Sequence, residues 1–196
     1  MKDQFWEKPD WGTEYKSLAE AQAAKEPVRN LKLYDQKLAA LPPEVFGFTT
    51  LERLSLRKNN LTTLPAELRT LKKLNWLDAG QNQIADPSPA LGELNQLRHL
   101  YLNDNPMTQL PPSIAGCKNL VYLNLDRNKL TRLPPEIGQL TGLRWLRLND
   151  NPLESIPPEI KNLSGSLERL YLRGHKLPEA EKAKLKEYLP RCEIIW

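Results

Sequence analysis

Residues 120–142 read LVYLNLDRNKLTRLPPEIGQLTG, and the apolar spacing in this stretch decides the architecture. Leu123 and Leu125 alternate with Tyr122, Asn124 and Asp126, the period-two pattern of a strand with one buried face. Asn128 follows where the chain leaves that strand. Leu133, Ile137 and Leu140 then recur at three- and four-residue spacing around Pro134 and Pro135, which predicts a short helical or 3₁₀ turn. The paired prolines leave that segment too rigid and too short for a long helix.

Outward from this stretch, the pattern LxxLxLxxNxLxxLPxxIxxLxx restarts at Val28, Leu51, Leu74, Leu97, Leu120, Leu143 and Leu167. The offset is 23 residues except for the last, which is 24 because "NLSGS" holds one extra residue. One strand per unit, with some twenty residues before the next, rules out hairpins, so successive strands run parallel through crossovers. Such connections are right-handed.

Residues 28–177 resemble the leucine-rich repeat family. The "LPPEI" signature and repeat length are most like its Ras-suppressor and plant intracellular class, and similar to bacterial leucine-rich repeat proteins. The expected fold is α/β: a right-handed solenoid, or horseshoe, with a parallel inner sheet, an irregular or 3₁₀ convex side and helical caps at both ends. The resemblance implies protein interaction as the general role and names no partner.

A solenoid must cover both ends of its core. Residues 1–27 are expected to form an N-terminal helical cap: Ser17 and Glu20 make a capping-box pattern, Tyr15, Leu18, Ala19 and Ala23 fall on one helical face, and Pro27 stops the helix. Phe5, Trp6 and Trp11 are expected to fold over the same end. Residues 178–196 form the other cap, with Pro178 as first helical residue, Leu185, Tyr188 and Leu189 closing the last coil, and "CEIIW" as an extended tail. Repeat 3 departs most from the pattern, with Ala79 for a strand leucine and "ADPSPALGEL" for the proline motif, so a local kink or looser packing is expected there.

Asn59, Asn82, Asn105, Asn128 and Asn151 occupy one turn position in five successive repeats. A carboxamide donates and accepts, so a ladder of them can satisfy backbone groups that a tight buried turn removes from water. Gln36 and His175 stand at this position in the first and last repeats, where a neighbouring coil is missing.

The 196 residues are 40% hydrophobic and 27% charged, with 28 basic against 24 acidic residues and a formal charge of +4. Mean hydropathy is −0.58 and no apolar run approaches the roughly 20 residues of a membrane span, so no membrane insertion is expected. The charge balance is too even to call for nucleic acid, and none is expected as a partner. The first 25 residues contain no secretory leader pattern, which points to a cytoplasmic monomer, or to a secreted or surface protein if a leader has been removed. Cys117, on a core leucine position, and Cys192, in the cap, are expected to be free thiols.

Phosphate-loop, dinucleotide, zincin, nucleophile-elbow and paired-cysteine motifs are all missing, so the chain is read as a non-enzyme with no cofactor and no metal. A Ser55/His99/Asp78 triad fails on distance, because Ser55 and His99 lie two strand spacings apart, about 9–10 Å. His99 and Asp78 offer a metal two ligands at most.

The variable positions are those of the strands that face away from the leucines. One column reads Asn30, Arg53, Trp76, His99, Tyr122, Trp145, Arg169; the next Lys32, Ser55, Asp78, Tyr101, Asn124, Arg147, Tyr171; the third Tyr34, Arg57, Gly80, Asn103, Asp126, Asn149, Arg173. They place an aromatic patch at the centre of the concave face between basic ends. Aromatic and arginine clusters with hydrogen-bonding neighbours are typical of interface hot spots. Stacked rings also stabilise a sheet without any ligand, so both roles stand. The binding surface is expected to comprise Trp76, Asp78, His99, Tyr101, Tyr122, Asn124, Asp126, Trp145, Arg147 and Tyr171, with Asp78, Asp126 and Arg147 orienting a protein or peptide. The alternative is a carbohydrate or small ligand on the same rings, in a surface or envelope-associated protein.

Overall fold

A computed structural model of the chain describes residues 10–196. Its backbone is a single parallel sheet of nine strands in sequence order: β1 (Glu14–Tyr15), β2 (Asn30–Lys32), β3 (Arg53–Ser55), β4 (Trp76–Asp78), β5 (His99–Tyr101), β6 (Tyr122–Asn124), β7 (Trp145–Arg147), β8 (Arg169–Tyr171) and β9 (Glu193–Ile195). The sheet does not close on itself. The middle residue of each repeat strand from β2 to β8 (Leu31, Leu54, Leu77, Leu100, Leu123, Leu146 and Leu170) is fully buried, and these leucines form the spine of the core. The residues flanking them are held on the opposite, concave face by the pleat.

Across the core, six 3₁₀ turns return the chain: Pro43–Gly47, Ala66–Thr70, Pro89–Glu93, Pro112–Gly116, Pro135–Gln139 and Pro158–Leu163. The convex side is therefore a regular series of turns. In the double-proline motifs the first proline is the extended residue before the turn and the second is its first residue, where the missing N–H costs nothing. Repeat 3, which lacks the motif, uses Ser88 instead: its hydroxyl accepts from the Ala90 N–H at 3.2 Å. The kink expected there is not found, since β4 pairs in register with both β3 and β5. Packing is tighter than expected, because Gly92 and Gly116 let successive turns touch backbone to backbone, and a Cβ on Gly116 would overlap the Gly92 carbonyl.

The asparagine ladder forms as the repeat predicts. Asn105 donates to the carbonyls of Ala79 in the coil before (3.1 Å) and Leu102 in its own (3.0 Å), while its Oδ1 accepts from the Ile84 N–H (3.0 Å). Asn59, Asn82, Asn128 and Asn151 repeat this bridge, and all five are buried. The residue before each ladder position, Lys58, Gln81, Asp104, Arg127 and Asp150, is held in the left-handed region at φ 53–60°. Non-glycine residues seldom adopt that conformation, and nothing in the repeat pattern announced it. Asp35 and Gly174 occupy the same position in the first and last coils.

Each cap adds a strand to the sheet. Residues 13–25 form β1 followed by a single short helix, α1 (Leu18–Gln22), so Tyr15 is a strand residue; Ala21 is buried and Ala24 partly buried against the core, while Ala19 and Ala23 are exposed. Ser17 caps α1, and Glu20 reaches back to the Lys16 N–H (2.7 Å), one residue short of a closed capping box. Trp11 lies on the concave face, not on the end of the core, and Phe5 and Trp6 fall outside the described residues. At the far end Pro178 precedes α2 (Glu179–Tyr188), and the final tail is β9, paired with β8. Open sheet edges carry unpaired backbone groups, and that demand turns a predicted helical turn into the edge strand β1 and pairs the predicted extended tail with β8.

Candidate functional site

The register carries the two inner columns across the sheet without a break: Arg53, Trp76, His99, Tyr122, Trp145 and Arg169 stand side by side, and so do Ser55, Asp78, Tyr101, Asn124, Arg147 and Tyr171. Strands of one column lie about 4.8 Å apart, yet the rings do not stack along it. The contacts cross between columns from Trp76 to Tyr101 (5.3 Å) and back from Tyr101 to Tyr122 (5.0 Å), then follow one column, with Tyr122 edge-on to Trp145 (6.2 Å, 87°) and His99 tilted beside Tyr122 (6.4 Å). Diagonal neighbours on adjacent strands are within reach of large side chains, and tilted contacts suit the ring quadrupoles better than a face-to-face pile. Five rings therefore form one cluster on the concave face.

Trp11 extends it. Its ring lies 6.4 Å from Trp76, and the Arg53 guanidinium sits close to both, 5.2 Å from the Trp11 ring and 4.2 Å from the Trp76 ring. The same Arg53 donates to Glu14 (3.1 Å) and to Asn30 Oδ1 (3.0 Å). The neighbours of Trp11 in the sequence carry no repeat signal, so tertiary contact alone places it on this face.

Packing has a consequence for exposure. Tyr122 is only 8% exposed, while Trp76, His99, Tyr101, Trp145 and Tyr171 are half-buried; among the described residues the freely exposed large hydrophobics are Tyr34 and Trp196. Tyr122 is thus the floor of the cluster and the others are its walls. Burial raises the Tyr101 and Tyr122 hydroxyl pKa values, and lowers that of His99 to about 4, with the Arg98 charge acting in the same direction. His99 is consequently neutral at physiological pH.

The polar residues expected to orient a partner are engaged internally. Asp126 is 1% exposed; its Oδ2 accepts from Arg147 Nε (2.7 Å), and its Oδ1 accepts from the Asn149 N–H (2.7 Å). Arg147 lies over the Tyr171 ring at 4.8 Å. Asn124 accepts from the Asp126 N–H (3.0 Å). Asp78 is buried and accepts from the Gly80 N–H (2.9 Å); desolvation raises its pKa, opposed by that hydrogen bond and by Arg57 4.0 Å away. Gly80 is needed here, since a Cβ would crowd Asn103, Arg57 and Asp78 at 2.9–3.1 Å. These side chains stiffen the face, and the carboxylates among them are turned inward.

Cys117 is fully buried and its thiol pKa is pushed up to about 12; Cys192 is raised to about 11, and both are free. Among the described residues no group of three or more potential ligands could hold a metal ion, and no helix is long and apolar enough to cross a membrane.

The profile of a leucine-rich repeat region matches residues 88–187, and that of a leucine rich repeat matches residues 26–84. The chain belongs to the leucine-rich repeat family. Solved structures similar to it include a leucine-rich repeat protein of Leptospira interrogans (28% identity, TM-score 0.53, covering 86% of this chain and 60% of that one). An internalin of Listeria monocytogenes shares the fold at 22% identity and a TM-score of 0.77, over 93% of this chain and 51% of its own. The plant peptide hormone receptor RGFR1, solved in complex with RGF2, is 30% identical with a TM-score of 0.64, over 76% of this chain and 24% of the receptor. The leucine-rich repeat chain described here thus spans between a quarter and three fifths of these proteins. No curated protein matches it significantly.

Proposed function

We propose that this leucine-rich repeat chain is a non-catalytic interaction module that holds a protein or peptide on its concave sheet, with Trp76, Tyr101 and Trp145 as the contacting rings and Tyr122 as their support. One observation carries this reading: five rings, drawn from four adjacent strands, form a continuous half-buried cluster at the centre of a face whose surroundings are polar. Apolar clusters with a polar rim mark binding sites on soluble proteins. The similarity to a peptide hormone receptor supports the same class of partner.

Affinity capture from lysate, with the wild type beside a Trp76→Ala/Trp145→Ala variant of equal folded fraction, tests the reading. Proteins retained by the wild type should be lost from the variant. An identical set on both would move the search to the convex face or the caps, and a glycan bound with no protein would replace the reading by carbohydrate recognition.

A further inference from the structure

We infer that the partner is an acidic peptide: an extended segment with an apolar or aromatic centre and carboxylates at both ends, about 24 Å apart. This rests on the concave-face reading above and adds the chemistry of the occupant.

The argument is a charge account of that face. At the N-terminal end it carries three cations, Lys32, Arg53 and Arg57, against two carboxylates, Glu14 and Asp78. Glu14 is shared between Arg53 (3.1 Å) and Lys32 (3.5 Å), and Asp78 is buried; among the described residues Asp78, 4.0 Å away at the outer limit of an ion pair, is the carboxylate nearest the Arg57 guanidinium, and Asp104, which also feels the Arg57 charge, is paired with Arg127. At the C-terminal end three cations, Arg147, Arg169 and Arg173, again face two carboxylates, Asp126 and Glu193. Arg147 consumes Asp126 (2.6 Å) and Arg169 pairs with Glu193 (2.9 Å). Arg173 is exposed and has no carboxylate within ion-pair distance among the described residues. The exposed Asp150 lies one layer outward, beside Gly174 in the turn.

Each end of the ring cluster therefore presents one under-neutralised arginine, while Asp78 and Asp126, the carboxylates that flank the rings, are buried and hydrogen-bonded internally. Arg57 and Arg173 occupy the same column on strands five spacings apart, about 24 Å at the usual strand separation. An extended chain covers that span in seven or eight residues. Guanidinium groups favour carboxylates through charge-assisted, often bidentate hydrogen bonds, and the neutral His99 adds no charge between them. A basic partner would meet cations at both ends and no available carboxylate in the middle.

The test is selection from a random twelve-residue peptide library displayed on phage, run in parallel against the wild type, an Arg57→Glu/Arg173→Glu variant and the Trp76→Ala/Trp145→Ala variant. Melting curves verify that each is folded. The wild type should enrich peptides with Asp or Glu on both sides of an aromatic or aliphatic residue. Those peptides should bind the charge-reversed variant at least tenfold more weakly, and raising salt from 50 to 300 mM should weaken wild-type binding several-fold. Peptides that need the tryptophans but lack acidic residues, or bind the charge-reversed variant equally well, overturn the acidic-partner inference and leave the concave-face reading standing. Enrichment of no peptide by the wild type, or of peptides indifferent to both variants, overturns both. Displacement of the selected peptides by a single-stranded oligonucleotide at lower concentration would assign the arginines to phosphate instead and also overturn the inference.

Discussion

Two columns run the length of this solenoid with the same 23-residue period, and they treat repetition in opposite ways. The turn column places Asn59, Asn82, Asn105, Asn128 and Asn151 in identical surroundings, each bridging its own coil to the one before. The strand column beside it changes at every step, from Arg53 through Trp76, His99, Tyr122 and Trp145 to Arg169. In the turn the neighbours are backbone groups, identical in each repeat, so one side chain solves the problem every time. On the concave face the neighbours are other side chains and whatever docks there, so each position is free to differ. Sameness marks scaffold and difference marks surface, with Tyr122 as the position that blurs the division.

The sharpest break of this comparison is Asn105→Leu. The Ile84 N–H is left unpaired, at roughly 1–3 kcal/mol, and the Ala79 and Leu102 carbonyls each lose one of two donors, keeping Asn82 and Asn128, at about 1 kcal/mol per hydrogen bond. A loss of at least about 3 kcal/mol is expected in denaturant unfolding, despite the added hydrophobicity; a midpoint equal to the wild type's would remove the ladder from the account.

Tyr122→Ser comes next. Tyr122 lies in the variable column yet is packed against His99, Tyr101 and Trp145, so it should behave as core and lose about 2–4 kcal/mol, in the range of large-to-small aromatic changes. Trp145→Ser, at a wall position, should cost less stability and more binding. Chemical denaturation of the two side by side checks the order, and equal losses would mean that the cluster has no distinct floor.

The smallest effect is a pH dependence. His99 titrates near 4 in the folded protein, below the roughly 6.5 of an unfolded histidine. Between these values the unfolded chain binds the extra proton, so stability falls as pH drops from about 7 to 4. His99→Gln should flatten this slope by one proton's contribution, while His175, also lowered by burial, keeps part of it. Unfolding midpoints at pH 7, 5.5 and 4 measure the change; parallel curves for the two proteins would show that His99 is not desolvated.

The sequence by itself determined the solenoid, its parallel sheet, the buried leucines and the asparagine ladder, because each depends on a period that one repeat displays in full. It also placed the aromatic residues on the concave face, since alternation along a strand assigns every residue to a side. Tertiary structure decided what those residues do there. The path of the rings through Tyr101, the sinking of Tyr122, and the capture of Asp126 by Arg147 are contacts between residues 21 to 25 positions apart, on neighbouring coils. Their outcome depends on side-chain size and direction across strands, which periodicity does not encode. The edge strands β1 and β9 were likewise settled by the unpaired backbone of the sheet ends. Local sequence favoured a helical turn at Tyr15 and an extended tail after Cys192, and hydrogen-bonding demand from residues more than a dozen positions away made both into paired strands.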